Sequence, residues 1–193
     1  MNEDFYDHVR SKNPLVSYML GSYFGTLERR LSALSVSNSV DVGCGKGYVT
    51  QYVHLLMGHM PLGIDCDDEK LVLAKKTYPH LRFEKGNGTR LHLEDNSFDL
   101  VIATEVLEHQ DLPDNMLREL GRVSRNYAFL SVPNDPIWRI ANILRGKYLN
   151  DLGNPPGHIQ HWSRKSFERL LLDHFSEVDV ESVMVWNIAL CKK

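Results

Sequence analysis

Asp41 closes a short strand-like run over residues 36–41, and three alternate glycines, Gly43, Gly45 and Gly47, follow it. Glycine tolerates positive φ and lets another molecule approach the backbone closely. Such a turn, leading into a helix, predicts main-chain N–H groups and a helix N-terminus aimed at a ligand. The dinucleotide signature is G-x-G-x-x-G, with its last glycine inside the helix. The order here is D-x-G-x-G-x-G. An acid ahead of the first glycine disfavours pyrophosphate and favours a nucleoside that carries positive charge. Asp65 ends the next apolar run, 18 residues after Gly47, close to the roughly 20 expected of an acid that binds ribose. One carboxylate can take both ribose hydroxyls through charge-assisted hydrogen bonds. Asp67, Asp68 and Glu69 follow it at the start of a predicted helix and read as caps. His109, His158 and His161 are candidate bases, because imidazole titrates near neutral pH. The i, i+3 pair His158 and His161 also suggests metal binding. No Cys, Asp or Glu lies close by in sequence to complete a ligand set, so no metal is expected.

With these pieces in hand, the sequence resembles the class I S-adenosylmethionine (SAM)-dependent methyltransferases, in particular their small type 11-like members. The first motif of that family has the D-x-G-x-G-x-G form, and SAM bears both a sulfonium and an ammonium. Residues 85–89, Lys-Gly-Asn-Gly-Thr, stand where the family usually has Gly-Asp-Ala around the adenine. Asn87 takes the place of the acid there, and its amide oxygen can still accept. Residues 98–101, Phe-Asp-Leu-Val, match the family's fourth strand almost letter for letter, and residues 104–109 resemble its segment beside the methionine end of the cofactor. Ser124 and Arg125 replace the usual Lys-Pro-Gly-Gly before the fifth strand. The resemblance covers residues 36–191. It implies SAM as cofactor, held by Asp41, Gly43, Cys44, Gly45, Gly47, Asp65, Cys66, Asn87, Gly88, Thr104 and Glu105. It also implies methyl transfer to a small-molecule acceptor. Two alternatives stand beside it: a SAM-binding protein without catalysis, and a nucleotide-dependent oxidoreductase. Against the second, the third glycine arrives one residue early.

The elements that must position these residues follow from periodicity. Val16, Leu20, Tyr23, Phe24, Leu27 and Leu31 have helical spacing, with residues 28–30 mostly off that face. This helix packs on the core edge or forms a lid carrying Tyr18 or Tyr23. Val49, Tyr52, Val53 and Leu56 predict a helix after the glycine turn, and Met116, Leu117, Leu120 and Val123 another. Residues 100–103 form the continuous apolar run of a strand buried on both faces. Residues 126–133 read as a fifth strand, Ser163 as the N-cap of a late helix, and 176–183 with 185–191 as a closing antiparallel pair. The expectation is a doubly wound, mostly parallel α/β sheet with a final antiparallel strand. All of it falls in one domain over 1–193, with residues 1–35 as an N-terminal helical lid or edge. Residues 134–162 are an insertion beyond the strand ends, a candidate substrate lid. There Ile137, Ile140, Ala141 and Leu144 have helical spacing among Trp138, Arg139, Arg145 and Lys147, which suits an anionic or amphiphilic acceptor.

Composition limits the rest. With 193 residues, 42% of them hydrophobic, the chain can bury one core. A net charge of −3 supplies no field for nucleic acid. The Asn-Pro-Pro-aromatic tetrad of amino methylases is missing too, since Gly157 follows Asn154, Pro155 and Pro156. Three scattered cysteines, Cys44, Cys66 and Cys191, suit reduced thiols in a cytoplasmic protein. The first residues show neither a basic nor an apolar leader region, so no signal peptide is expected. No apolar run is long enough to span a membrane.

Overall fold

The computed structural model describes residues 13–144, 146 and 148–193. Phe5 and Tyr6 of the polar start, and Arg145 and Lys147 of the insertion, lie outside the described residues. The chain runs α1 (Pro14–Leu31), β1 (Ser39–Val42), α2 (Tyr48–Met57), β2 (Leu62–Asp65), α3 (Asp68–Thr77), β3 (Arg82–Lys85) and β4 (Phe98–Thr104). A short 3₁₀ turn, Leu107–His109, leads to α4 (Pro113–Val123) and β5 (Ser124–Pro133). Then come α5 (Ile137–Leu144), α6 (Arg164–Leu172), β6 (Glu177–Val183) and β7 (Trp186–Lys192). The strands form one seven-stranded sheet in the order β3-β2-β1-β4-β5-β7-β6. Strands β1 to β5 pair in parallel, and β7 runs antiparallel to both β5 and β6. The expected architecture is therefore present. Chain order reverses between neighbouring β1 and β4, which opens a crevice at their carboxyl ends, where ligands bind in open α/β sheets.

The central strands alternate their side chains between two cores, as a pleat requires. Leu100 and Ile102 of β4 face the core beneath α1 and α2, with Tyr23, Leu27, Leu31 and Val53. Val101 and Ala103 face the other, with Met116, Leu117 and Leu120 of α4 and Phe167 of α6. Helix α1 starts at a cap in which Leu15 N donates to Asn13 Oδ1 at 2.9 Å, with Pro14 at the first helical position. Two features depart from the sequence reading. Arg30, placed off the packed face, is buried, and its guanidinium reaches Asp179 Oδ2 at 3.1 Å and Glu181 Oε2 at 3.2 Å. It ties α1 to β6, whose alternating acids mark the sheet's edge. Helix α5 is turned the other way round from its apolar spacing. Ile137, Ile140 and Leu144 are exposed, while Trp138 packs towards Trp186. The bulkier indole takes the inward face together with Ala141, which leaves Ile137, Ile140 and Leu144 outside.

Asp99 opens β4 and holds the connection before β1. Ser37 donates to Asp99 Oδ2 through its N–H at 2.9 Å and its hydroxyl at 2.6 Å, and Arg125 pairs with Oδ1. The Ser37 bonds, with Arg125 beside them, hold the carboxyl down at about 2, against about 3.9 in an unfolded chain. A depressed carboxyl stabilises the fold above its unfolded value and loses that contribution as pH falls through its folded one. Between pH 4 and pH 2 the protein is expected to lose about 1–2 kcal/mol through this group. Urea unfolding across that range checks it: Asp99→Asn should show a flatter pH dependence, and equal slopes would contradict the assignment.

Candidate functional site

The glycine turn follows β1 directly. Gly43, Gly45 and Gly47 all have positive φ, at +80°, +53° and +80°. A Cβ on Gly43 would lie 2.3 Å from Val106 Cγ2, and one on Gly47 would lie 2.6 Å from Phe83 Cζ. Gly43 is therefore needed where the turn meets the segment after β4, and Gly47 where α2 packs on β3. Several N–H groups of the turn are engaged within the chain. Gly43 N and Cys44 N both donate to Ile64 O, at 2.7 and 3.0 Å, and Gly45 N donates to Asp65 Oδ2 at 2.7 Å. These backbone groups are satisfied locally, and Gly43, Cys44 and Gly45 still line the cavity.

Asp65 is buried at the end of β2. Its Oδ1 accepts from Asp67 N at 2.9 Å and its Oδ2 from Gly45 N. Each oxygen keeps a second lone pair for a ligand hydroxyl. Asn87 has less to offer. Its Oδ1 accepts from Thr89 N at 2.9 Å and Thr89 Oγ1 at 2.8 Å, so both lone pairs are used in the loop. The acceptor role expected of that oxygen is thus taken by Thr89.

Asp41 lies beneath the turn, fully buried, and does not line the cavity. Oδ2 accepts from Thr50 Oγ1 at 2.6 Å, while Oδ1 is buried with no hydrogen-bond partner. Burial, with Asp65's charge adding to it, pushes the carboxyl up to about 7 against the Thr50 bond. A raised carboxyl favours the fold at low pH, and that advantage fades as pH rises from about 4 to about 7. Asp41→Asn removes the buried charge, and at pH 8 the variant is expected to be about 1–2 kcal/mol more stable than the parent, with no such gain at pH 4. Chemical denaturation at the two pH values checks this; a variant less stable at pH 8 than at pH 4, relative to the parent, would contradict it.

The segment after β4 supplies the opposite wall. Glu105 sits at φ +56°, uncommon for a residue with a side chain. Its carboxylate accepts from Ser131 Oγ and from Trp186 Nε1, both at 3.2 Å, and burial pushes it up to about 8. Tyr23 OH meets the same Ser131 hydroxyl at 2.9 Å. Tyr23 thus lies behind the wall, and neither it nor exposed Tyr18 lines the cavity. Glu108 is fully buried, and both its carboxylate oxygens lack a hydrogen-bond partner. Burial first, then Glu105's charge, drives it well above the usual carboxylate range.

The insertion closes the remaining side. Ile159 N and Gln160 N donate to Glu108 O at 3.0 and 3.1 Å. His109 Nδ1 bonds Gly157 O at 2.8 Å, and the His109 and His158 rings meet edge to face at 4.9 Å. Burial, with His109 and His161 nearby, lowers His158 to about 4. His161 stands apart: its Nδ1 is 4.0 Å from Asp135 Oδ1, and the ring does not line the cavity. The cavity itself measures about 760 Å³, within the range that takes a cofactor with a small ligand. Of the expected residues, Gly43, Cys44, Gly45, Asp65, Cys66, Asn87, Gly88, Thr104, Glu105, His109 and His158 line it; Asp41, Gly47 and His161 do not. Glu108 and Trp138 also line it. The repeated acid of the Glu105–Glu108–His109 segment was the sequence signal for Glu108.

Residues 40–132 match the family model described as a methyltransferase domain. Over those residues the chain carries a class I methyltransferase domain. A Mycobacterium tuberculosis protein described as a "probable S-adenosylmethionine-dependent methyltransferase" is 29% identical over 97 residues, covering 49% of this chain and 35% of that one. The chain thus matches only about a third of such a relative's length. Among solved structures, a Pyrococcus horikoshii protein superposes with a TM-score of 0.73 at 16% identity, over 95% of this chain and 93% of the other. The magnesium protoporphyrin IX methyltransferase of Synechocystis, solved with bound SAH, superposes at 0.68 and 16% identity, over 100% and 95%. At these identities the two structures share the methyltransferase fold with this chain.

Proposed function

We propose that the protein binds SAM in this cavity and transfers its methyl group to a small-molecule acceptor. The observation that carries the reading is the meeting, in one 760 Å³ cavity, of the glycine turn, the β2 carboxylate of Asp65 and the post-β4 wall. The residues fit the group. Asp65 keeps lone pairs for ribose hydroxyls, and the backbone of Gly86–Gly88 lines the cavity beside it. SAM, when bound, supplies an already activated methyl group.

The chain's own share is then positioning. Asp65 and the glycine turn fix the nucleoside end. Trp138, Pro155 and Pro156 wall the cavity and exclude water from the acceptor side. Holding a nucleophile in line can remove several kcal/mol of barrier, up to roughly 7–11. His109 and His158 face the cavity on the acceptor side, His109 with the Nε2 left free by its bond to Gly157. The insertion over 134–162 is read as the acceptor side of a single domain spanning the chain.

A small acceptor is favoured because the cavity is walled by the insertion and the chain carries a net charge of −3. A cytoplasmic setting is favoured by the three free cysteines. Among the described residues no helix is long and apolar enough to cross a membrane. Incubating the protein with a cell extract and SAM tritiated on its methyl group tests the reading. Label recovered in a low-molecular-mass product supports it; label confined to macromolecules would overturn the small-molecule assignment.

A further inference from the structure

The chain contains an arrangement that the sequence hides. Glu108 and His109 are neighbours, yet His158 lies 49 residues further on. The fold brings one ligand-capable atom from each within 4.8 Å of the others. Glu108 contributes a carboxylate that is wholly buried, with neither oxygen hydrogen-bonded. An unpaired carboxylate at that depth is costly unless something compensates it. His109 is oriented by its bond to Gly157 O, which fixes Nδ1 as the donor and leaves Nε2 with its lone pair. A backbone carbonyl on the far nitrogen is the usual device for orienting a metal-binding imidazole. His158 is held against the pair by the two N–H bonds from the next residues to Glu108 O. It also lies nearly parallel to Trp138, with ring centroids 6.4 Å apart. All three residues line the cavity.

We propose that Glu108, His109 and His158 form a divalent-metal site that holds an oxygen of the methyl acceptor. Two imidazoles and one carboxylate suit a first-row transition ion and leave coordination positions open to the cavity. This identifies the acceptor class as a molecule with an ionisable hydroxyl, and so rests on the methyltransferase reading. The balance is simple. Coordination to the ion favours loss of the hydroxyl proton to solvent water. The oxygen's lone pair then forms the new O–CH₃ bond, the C–S bond breaks, and its electron pair returns to sulfur as the neutral thioether of S-adenosylhomocysteine. Glu105 stays behind the site, engaged by Ser131 and Trp186. His161, away from the cavity, takes no part.

Chelator-stripped protein titrated with Co²⁺ alone, followed by visible absorption, tests the site without any acceptor. One Co²⁺ per chain is expected. Glu108→Gln, which keeps shape and removes charge, and His158→Ala should each weaken binding by at least about 10-fold, the floor for even an outer partner of a metal ligand. His161→Ala should leave it unchanged. SAM affinity measured on His158→Ala and His161→Ala, whose side chains come from the insertion, reports that the cofactor side is intact and should not move. No Co²⁺ binding, or binding indifferent to both substitutions, would overturn the site while leaving SAM binding to stand. Co²⁺ binding by a protein that never binds SAM would overturn the acceptor role and the methyltransferase reading with it.

Discussion

Gly43→Ala is expected to weaken SAM binding by at least about 100-fold, or about 3 kcal/mol. Two causes act together. The position has φ +80°, and a side chain in the left-handed region costs roughly 1–2 kcal/mol. The new methyl would also fall 2.3 Å from Val106 Cγ2 and 2.9 Å from Cγ1. Val106 lies between Glu105 and Glu108, so relief of the clash moves the wall that faces the cofactor. Gly58→Ala provides the control. Its φ is +75°, yet nothing lies within 4 Å of its Cβ position. It should cost about 1 kcal/mol of stability and leave SAM affinity unchanged. Calorimetric titration of both variants checks the pair, and equal affinities would show that Gly43 serves the turn alone.

Asp65→Ala should cost about 1.5–3 kcal/mol of SAM affinity, the scale of hydrogen bonds to a charged group. The structure adds a reason to expect the upper end. The same carboxylate accepts from Gly45 N at 2.7 Å and Asp67 N at 2.9 Å, so its loss also frees the glycine turn. Asp65→Asn separates the two effects. One oxygen remains to accept from Gly45, and affinity should fall by less. If Asp65→Ala and the parent bind SAM alike, the residue is only a cap for α3.

Much of the fold was legible because its signals are local. The apolar run of β4, the period of α4 and the acid ending β2 each declare themselves within a few residues. Gly43, Gly45 and Asp65 come to one cavity because motif spacing reflects strand length. What was hidden depends on contacts distant in sequence. The N–H groups of Gly43 and Cys44 are claimed by Ile64 across the sheet, and Asn87 Oδ1 by Thr89. Helix α5 has two faces that could pack, and tertiary fit put Trp138 inside. Arg30 was read as surface because its partners, Asp179 and Glu181, lie about 150 residues away. The Glu108–His109–His158 cluster is the clearest case. His158 has no acid or cysteine beside it along the chain, while the fold brings Glu108 and His109 to it from across the site.

On the proposed function, the cavity accepts a cationic nucleoside and not a dinucleotide. Isothermal titration of the purified protein with SAM, S-adenosylhomocysteine and NAD tests it most directly. Saturable binding of SAM and S-adenosylhomocysteine at one site per chain is expected, with no heat from NAD. Preferential binding of NAD would contradict it.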